Sequence, residues 1–438
     1  MKKLISMLLV LALSLTLFSI PAFAAEKTVV DLWIQPWDTF QQEWLSDWVD
    51  VYNSENEAVE ISVTFVPDSA WTEKLKAAQG NGTTPDIWCV NLQKVDKEVQ
   101  LGSIQAMDAY VDPAVFDDLA DNFKAIAEVD GHYYAYPYQV EAGQMLYYRK
   151  DLFEEAGLDP ECPPKTWDEV IEYAKKLTTE YTYGYQLNTA DGDISWTSYA
   201  MQYNFNGGYC IDDNWGKATL NNDNYRALFN VFKTLHDNGS VPPQALCDPF
   251  GVSAVCEGSV AMMCAGSWNF QLIKDNYPEM VDLIGVAPAP NRDGDPSKVT
   301  SALGGWSLAV DAASDCPKEA SEFVAWLLGG DPEIMLDFCT RAGFGKVSVR
   351  KSVSDLVAQN EELSSNSWLV TLMNDVMPYG VLEPAFPWDI SLKVGQAINR
   401  VLVFGQSIDE ALAQAETEIN EYIELNSVAG TNPSYQAE

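Results

Sequence analysis

Apolar and polar residues alternate across positions 29–34, and this period of two predicts a strand. A polar turn, Gln35-Pro36-Trp37-Asp38, follows it. From residue 40 to residue 52 the period changes. Trp44, Leu45, Trp48 and Val49 fall on one face at helical spacing, which predicts an amphipathic helix. A second strand is expected over 59–66. A second helix follows over 70–79, ended by Gly80-Asn81-Gly82, and Pro85-Asp86 introduces a buried strand over 87–90. Strand, helix, strand, helix, strand at this spacing implies a parallel sheet with right-handed crossovers.

Further along, an aromatic stretch over 133–138 carries Pro137 and leads into an apolar strand over 145–148. A short helix over 151–156 is closed by Gly157. Thr166-Trp167-Asp168-Glu169 is a capping box: the threonine hydroxyl accepts from the first turn while Glu169 reaches back, so a helix is expected as far as Leu177. Helical periodicity recurs over 196–202, 222–238, 318–328, 332–339, 387–404 and 408–425. Trp71, Trp167 and Trp326 lie on helical faces or caps and are assigned to packing. There is no internal repeat and no low-complexity segment.

The N-terminus has the order of an export signal: Lys2 and Lys3, an apolar run over 4–20, Pro21, then Ala22-Phe23-Ala24. Cleavage is expected after Ala24. The run is short for a membrane span, and no later stretch is long and apolar enough to cross a bilayer. No cysteine stands at the cut, so no lipid anchor is indicated, and the mature chain is expected in a periplasm or secreted. The 414 residues that remain exceed one ordinary core, which points to two domains.

The chain carries 64 acids against 26 bases, a net charge of -38, which becomes -40 when residues 1–24 leave with two lysines and no acid. Such a field repels nucleic acid and anionic lipid, so no nucleic-acid partner is expected. Fourteen tryptophans stand beside only two histidines. Imidazole for metal binding or proton transfer is scarce, whereas flat apolar faces with an N–H donor suit the faces and hydroxyl edges of sugars. The eight cysteines include no Cys-x-x-Cys pair, so no zinc site is expected. A local Cys256–Cys264 disulfide and free buried thiols both remain open. No Gly-x-Ser-x-Gly elbow, phosphate loop or His-x-x-x-His pattern is present, and no cofactor is expected.

Several local words occur in a specific order. Pro85-Asp86-Ile87 is followed by Gly131-His132-Tyr133-Tyr134-Ala135-Tyr136-Pro137. Next come Leu146-Tyr147-Tyr148-Arg149-Lys150-Asp151-Leu152-Phe153 and Pro164-Lys165-Thr166-Trp167-Asp168-Glu169. Val260-Ala261-Met262 leads to Gly266-Ser267-Trp268. Gly304-Gly305-Trp306 precedes a strand and a helix with Ala320, Phe323 and Trp326, and Ser407-Ile408-Asp409-Glu410-Ala411-Leu412 opens the last helix. This set, which spans nearly the whole mature chain, resembles the extracellular solute-binding proteins of bacterial ABC importers, in the sugar-binding group that includes maltose-binding protein.

The resemblance implies an α/β, two-lobe periplasmic-binding-protein fold with a ligand cleft and three interlobe crossings, near 138–141, 301–303 and 342–345. Residues 25–138 and 302–343 then form lobe 1, and 139–301 and 344–438 form lobe 2. It implies a monomer that captures a mono- or oligosaccharide, closes its lobes, and delivers the carbohydrate to the permease subunits and ATPase of an importer, with no covalent chemistry. Two departures stand out. Many relatives carry a proline after the third crossing, whereas Gly343-Phe344-Gly345-Lys346-Val347 has none. Relatives from Gram-positive bacteria usually carry a lipid-accepting cysteine, whereas this leader has a small-residue site.

Candidate ligand-binding residues lie after strands and at the crossings. Gln35, Trp37 and Asp38 follow the first strand, although Trp37 also suits a place under a helix. Asn91 and Gln93 follow the strand over 87–90, with a helix cap as the other role for Asn91. Glu141, beside Gln139 at the first crossing, offers charge-assisted hydrogen bonds to hydroxyls. Trp268 and Trp306 are the first stacking candidates. Gly304 and Gly305 allow close backbone approach. Trp196 and Trp388 are further stacking candidates that equally suit apolar anchors at helix starts. The carboxylates of Asp168 and Glu169 belong to helix capping. The other functions weighed are a binder of a polyamine or glycerol phosphate on the same fold, and a secreted polysaccharide-cleaving enzyme, which needs a pair of acids.

Overall fold

The computed structural model describes residues 27–36 and 38–433. The export signal expected over 1–24, and Trp37, lie outside the described residues. The opening elements follow the hydrophobic pattern. Strand β1 (Thr28–Ile34) leads to helix α1 (Thr39–Glu55), strand β2 (Val59–Phe65), helix α2 (Asp68–Asn81) and strand β3 (Ile87–Asn91). β1 runs parallel to β2 and to β3. The helical face of α1 is buried at Trp44, Leu45 and Val49. α2 runs through Gly80 and stops at Gly82, whose φ of 66° is the left-handed conformation that glycine adopts without strain.

Strand β4 (Ala135–Ala142) takes in most of the aromatic stretch, and β5 (Met145–Arg149) starts after two intervening residues. Strands β6 (Met262–Ala265) and β7 (Ile284–Pro288) flank β5, antiparallel on both sides. This makes a second, smaller sheet. Alternation along β5 divides its side chains between two cores, as a period of two requires. Met145 and Tyr147 join the core of the first sheet, whereas Leu146 and Tyr148 join a separate core. That second core is built largely from helices α3 (Trp167–Leu177), α5 (Asp223–Asp237), α9 (Trp388–Leu402) and α10 (Ile408–Leu425). Both hydrogen bonds of the Thr166/Glu169 capping box at α3 are present.

Strand β8 (Ala302–Asp311) returns to the first sheet. It pairs antiparallel with β3 and with β4, and its first two residues also pair with β9 (Val381–Leu382). Hydrogen bonds tie two of the interlobe segments together. The Gly143 N–H donates to the Ala302 carbonyl at 2.8 Å. The Gln144 N–H donates to Ser301 Oγ at 3.0 Å, and the Ala302 N–H donates to Gln144 Oε1 at 2.9 Å. Two crossings thus run side by side.

The third run differs from the expectation. Helix α7 (Pro332–Arg341) leads into Gly343–Val347, and residues 347–359, which the resemblance assigns to lobe 2, pack on lobe 1. Val347 exchanges backbone hydrogen bonds with Val140 in β4. The buried Arg350 guanidinium bonds to Asp118 at 2.6 Å and to the Leu328 and Gly330 carbonyls at 2.8 and 2.7 Å. The run also touches the second lobe, where the Gly345 and Gly343 carbonyls accept from Ser267 Oγ and Lys274 Nζ, and further on Trp368 donates to the Ile284 carbonyl of the small sheet.

Two helices depart from the pattern. The expected helix over 196–202 is two helices, α4 (Asp191–Thr197) and Tyr199–Asn206, separated by Ser198. The expected helix over 318–328 is α-helical over Pro317–Val324 and then widens into a π-helical turn over Ala325–Gly329. All eight cysteines are free thiols, including Cys256 and Cys264.

Gly305 is a packing glycine: a Cβ there would lie 2.5 Å from the Gln139 carbonyl oxygen and from Leu92. Gly305→Ala is therefore expected to lower unfolding free energy by about 2 kcal/mol through overpacking, read from the denaturant midpoint. A midpoint equal to that of the parent would contradict this packing role.

Candidate ligand cleft

The strand ends and crossings bring a group of charged and aromatic side chains together between the lobes. Asp38 occupies the N-cap position of α1 but makes no side-chain cap. Its carboxylate instead accepts from Lys346 Nζ at 2.6 Å. Lys346 is buried, and its ammonium also lies 3.7 Å from Glu141 Oε2. Burial opposes the lysine's charge, yet Glu141 and Asp38 together hold its pKa above the ordinary value. The Glu141 pKa is raised by burial, with Asp38 adding to the rise and Lys346 opposing it.

Glu383 follows β9 and faces Glu141 across Gly304. A Cβ at Gly304 would lie 3.1 Å from Glu383 Oε1 and 3.6 Å from Glu141 Oε1. The missing side chain therefore leaves one small volume that both carboxylates border. Trp196 Nε1 donates to Glu383 Oε1 at 3.0 Å. Burial, and then the negative charge of Glu141, push the Glu383 carboxyl up to about 7.

An aromatic wall adjoins these acids. The Trp196 and Trp268 ring centroids are 5.8 Å apart, tilted by 48°, and Phe250 meets Trp196 edge-on at 5.4 Å. Trp268 Nε1 donates to the Phe250 carbonyl at 2.8 Å. Its ring lies so close over Gly266 that a Cβ there would fall 2.0 Å from ring atoms, which makes glycine the residue that fits. Trp306 comes from the other lobe. It stands on β8 between Asn91 and Gln139 and packs half-buried against the first core.

Two hollows extend from this centre. One, of about 320 Å³, is lined by Asp38, Phe40, Trp268, Gln271, Arg341 and Lys346 among others. The other, of about 360 Å³, is lined by Gln93, Tyr209, Trp215, Glu383 and Phe386 among others. Of the residues singled out from sequence, Asp38, Glu141, Trp196, Trp268 and Gly304 gather around one centre, and Gln93 lines the second hollow. Asn91 starts the turn over 92–94 without a side-chain cap and faces Trp306 across β3 and β8. Gln35 is buried at the end of β1, where its Oε1 accepts from the Cys89 thiol. Gly305 serves packing, as above. Trp388 is 46% exposed, with its ring near Gly192, and it lines neither hollow.

Sequence reasoning missed Lys346, Glu383 and Phe250. Lys346 lies in the very run whose missing proline was noted, and Glu383 sits in an unpatterned Leu-Glu-Pro word. A buried, ion-paired lysine has no local signature, because its partners are hundreds of residues away. Among the described residues, no group of three His, Cys, Asp or Glu side chains is arranged to hold a metal ion.

A family model described as bacterial extracellular solute-binding protein matches residues 36–331. The chain belongs to that family. It is similar to the cyclic alpha-maltosyl-1,6-maltose binding protein of Arthrobacter globiformis, with a TM-score of 0.74 at 25% identity over 92% of this chain and 100% of that one. It is 26% identical to a maltotriose-binding protein of Pyrococcus abyssi over 65% of this chain and 59% of that protein. It is also 26% identical to a probable amino-acid ABC transporter periplasmic-binding protein of Sinorhizobium fredii, over 56% of this chain and 53% of that protein. The chain thus spans about half the length of the curated relatives it matches. Among the described residues, no helix of this solute-binding protein is long and apolar enough to cross a membrane.

The raised Glu383 carboxyl makes a stability prediction. Between the ordinary value of 4.5 and about 7 the folded state keeps a proton that the unfolded state has lost, so raising the pH through that window costs stability. Relative to Glu383→Gln, the parent should lose about 3 kcal/mol of unfolding free energy between pH 4 and pH 8, measured by denaturant titration. Parallel pH profiles for the two proteins would contradict the assignment.

Proposed function

We propose that this solute-binding protein captures a mono- or oligosaccharide outside the cytoplasm and delivers it to the permease subunits of an ABC importer. The observation that carries the reading is the pairing of an aromatic wall, Trp196 and Trp268, with carboxylates at Glu141 and Glu383 around the space that Gly304 leaves open. Aromatic faces accept the C–H faces of sugar rings, and carboxylates accept from hydroxyls. The names of the maltotriose-binding and cyclic-maltosyl-maltose-binding relatives support the same class. An amino acid, suggested by the Sinorhizobium relative, needs a cation for its carboxylate; Lys346 is already engaged by Asp38 and Glu141.

In this reading Trp268 stacks on the sugar from one lobe and Trp306 from the other, Glu141, Glu383, Asn91 and Gln93 bind hydroxyls, and Gly304 lets a ring approach the strand. Lobe 1 comprises residues 25–138 and 302–343, with the segment 347–359 packed on it. The lobes hinge at Gly143–Gln144 and Ser301–Ala302, and the protein acts as a monomer.

A second reading has one observation in its favour. Glu141 and Glu383 form a pair of half-buried acids, one with a carboxyl near neutrality, which is the equipment of a glycosidase. Incubating the pure protein with its ligand and chromatographing the mixture separates the two. Intact sugar is expected, and new reducing ends would establish hydrolysis.

Trp268→Ala and Trp306→Ala should each weaken sugar binding about tenfold or more, a loss of roughly 1.4 kcal/mol, while unfolding stays cooperative. Calorimetric affinities equal to the parent in both variants would remove the stacking roles.

A further inference from the structure

The charges around Gly304 do not balance. Asp38 from the start of α1, Glu141 from β4 and Glu383 after β9 bring three carboxylates to one place. Among the described residues, Lys346 is the cation that pairs with two of them, Asp38 at 2.6 Å and Glu141 at 3.7 Å. Lys94, beyond β3, favours the ionised form of Glu383 only through space. The hydrogen bond to Glu383 comes from the neutral Trp196 N–H.

A separate observation points to a ligand at the same place. Gln139 is fully buried, yet neither its Nε2 nor its Oε1 has a hydrogen-bond partner. It lies two residues before Glu141 on β4, so the period of two puts both on one face of the strand. Glu141 Oε2 accepts no hydrogen bond and has the Lys346 ammonium 3.7 Å away. Buried polar groups in folded proteins are almost always paired, and an amide left open beside the cleft acids is a place for a ligand to complete.

Resting on the sugar-binding reading above, we propose that the cleft takes an amino sugar whose protonated amine sits between the carboxylates of Glu141 and Glu383. A hydroxyl gives a carboxylate one hydrogen and no charge. An ammonium gives three N–H donors and cancels one of the two negative charges that face each other across Gly304. The empty cleft holds Glu383 partly protonated near neutrality, because burial and Glu141 both disfavour its charge. Binding the amine ionises it and releases a proton. Affinity for the amine therefore rises with pH through about 7, whereas affinity for an uncharged sugar does not.

The test is calorimetry on the mature protein with matched probes: glucosamine, galactosamine and the fully deacetylated chitosan disaccharide, each beside its N-acetylated and hydroxyl counterparts. Two buffers of different ionisation enthalpy count protons. An amine probe is expected to bind about tenfold or more tightly than both counterparts, with proton release near pH 7, as a charge-assisted pair implies. Glu383→Gln should abolish that preference and the proton release. Equal or tighter binding of a neutral counterpart overturns the amine assignment and leaves the sugar reading intact. If no sugar of either kind binds while putrescine does, the sugar reading itself falls.

Discussion

Strand β8 carries more of this molecule than its ten residues suggest. On one side it hydrogen-bonds to β3, on the other to β4, and at its start to β9. It therefore joins the first sheet to two of the segments that pass between the lobes. Its sequence answers to both demands. Gly305 has no room for a side chain because β4 and Leu92 press against it, and at Gly304 a side chain would crowd the two carboxylates that share the space beside it. One glycine keeps the sheet closed and its neighbour keeps the cleft open. Trp306 follows at once, placing an aromatic ring on the first lobe where Asn91 and Gln139 flank it.

The electrostatics of the cleft follow from that geometry. Burying carboxylates is costly unless a cation compensates them. Lys346 compensates Asp38 and Glu141 together, and it reaches them because residues 343–347 pass beside the N-terminus of α1. Glu383 lies beyond its reach and instead keeps its proton to an unusually high pH. The cleft is thus poised between an ion-paired half and a half that titrates near neutrality.

Much of the fold was legible in the sequence because it rests on local periodicity. The first five elements, the capping box at Thr166 and Glu169, and the last two long helices depend on residues within a few positions of each other. The break at Ser198 and the π-helical turn at Ala325–Gly329 had no local signal. Gly329 at its end is a packing glycine: a Cβ there would fall 2.4 Å from Val115. The site was legible in the same uneven way. Glu141, Trp268 and Gly304 sit in recognisable words, whereas Lys346 and Glu383 acquire meaning only through partners in distant parts of the chain. Gln35 shows the converse: it follows the first strand, as cleft residues in such folds do, but its side chain is used within the sheet, against Cys89.

The proposed function requires a cleft between two lobes that hinge near Gly143–Gln144 and Ser301–Ala302, where the two segments are hydrogen-bonded, and that a ligand closes by binding both sides at once. Small-angle X-ray scattering of the mature protein, alone and saturated with a sugar shown by calorimetry to bind, tests this directly. A smaller radius of gyration in the complex is the expected result. Identical scattering curves with and without tightly bound sugar would contradict closure of the lobes.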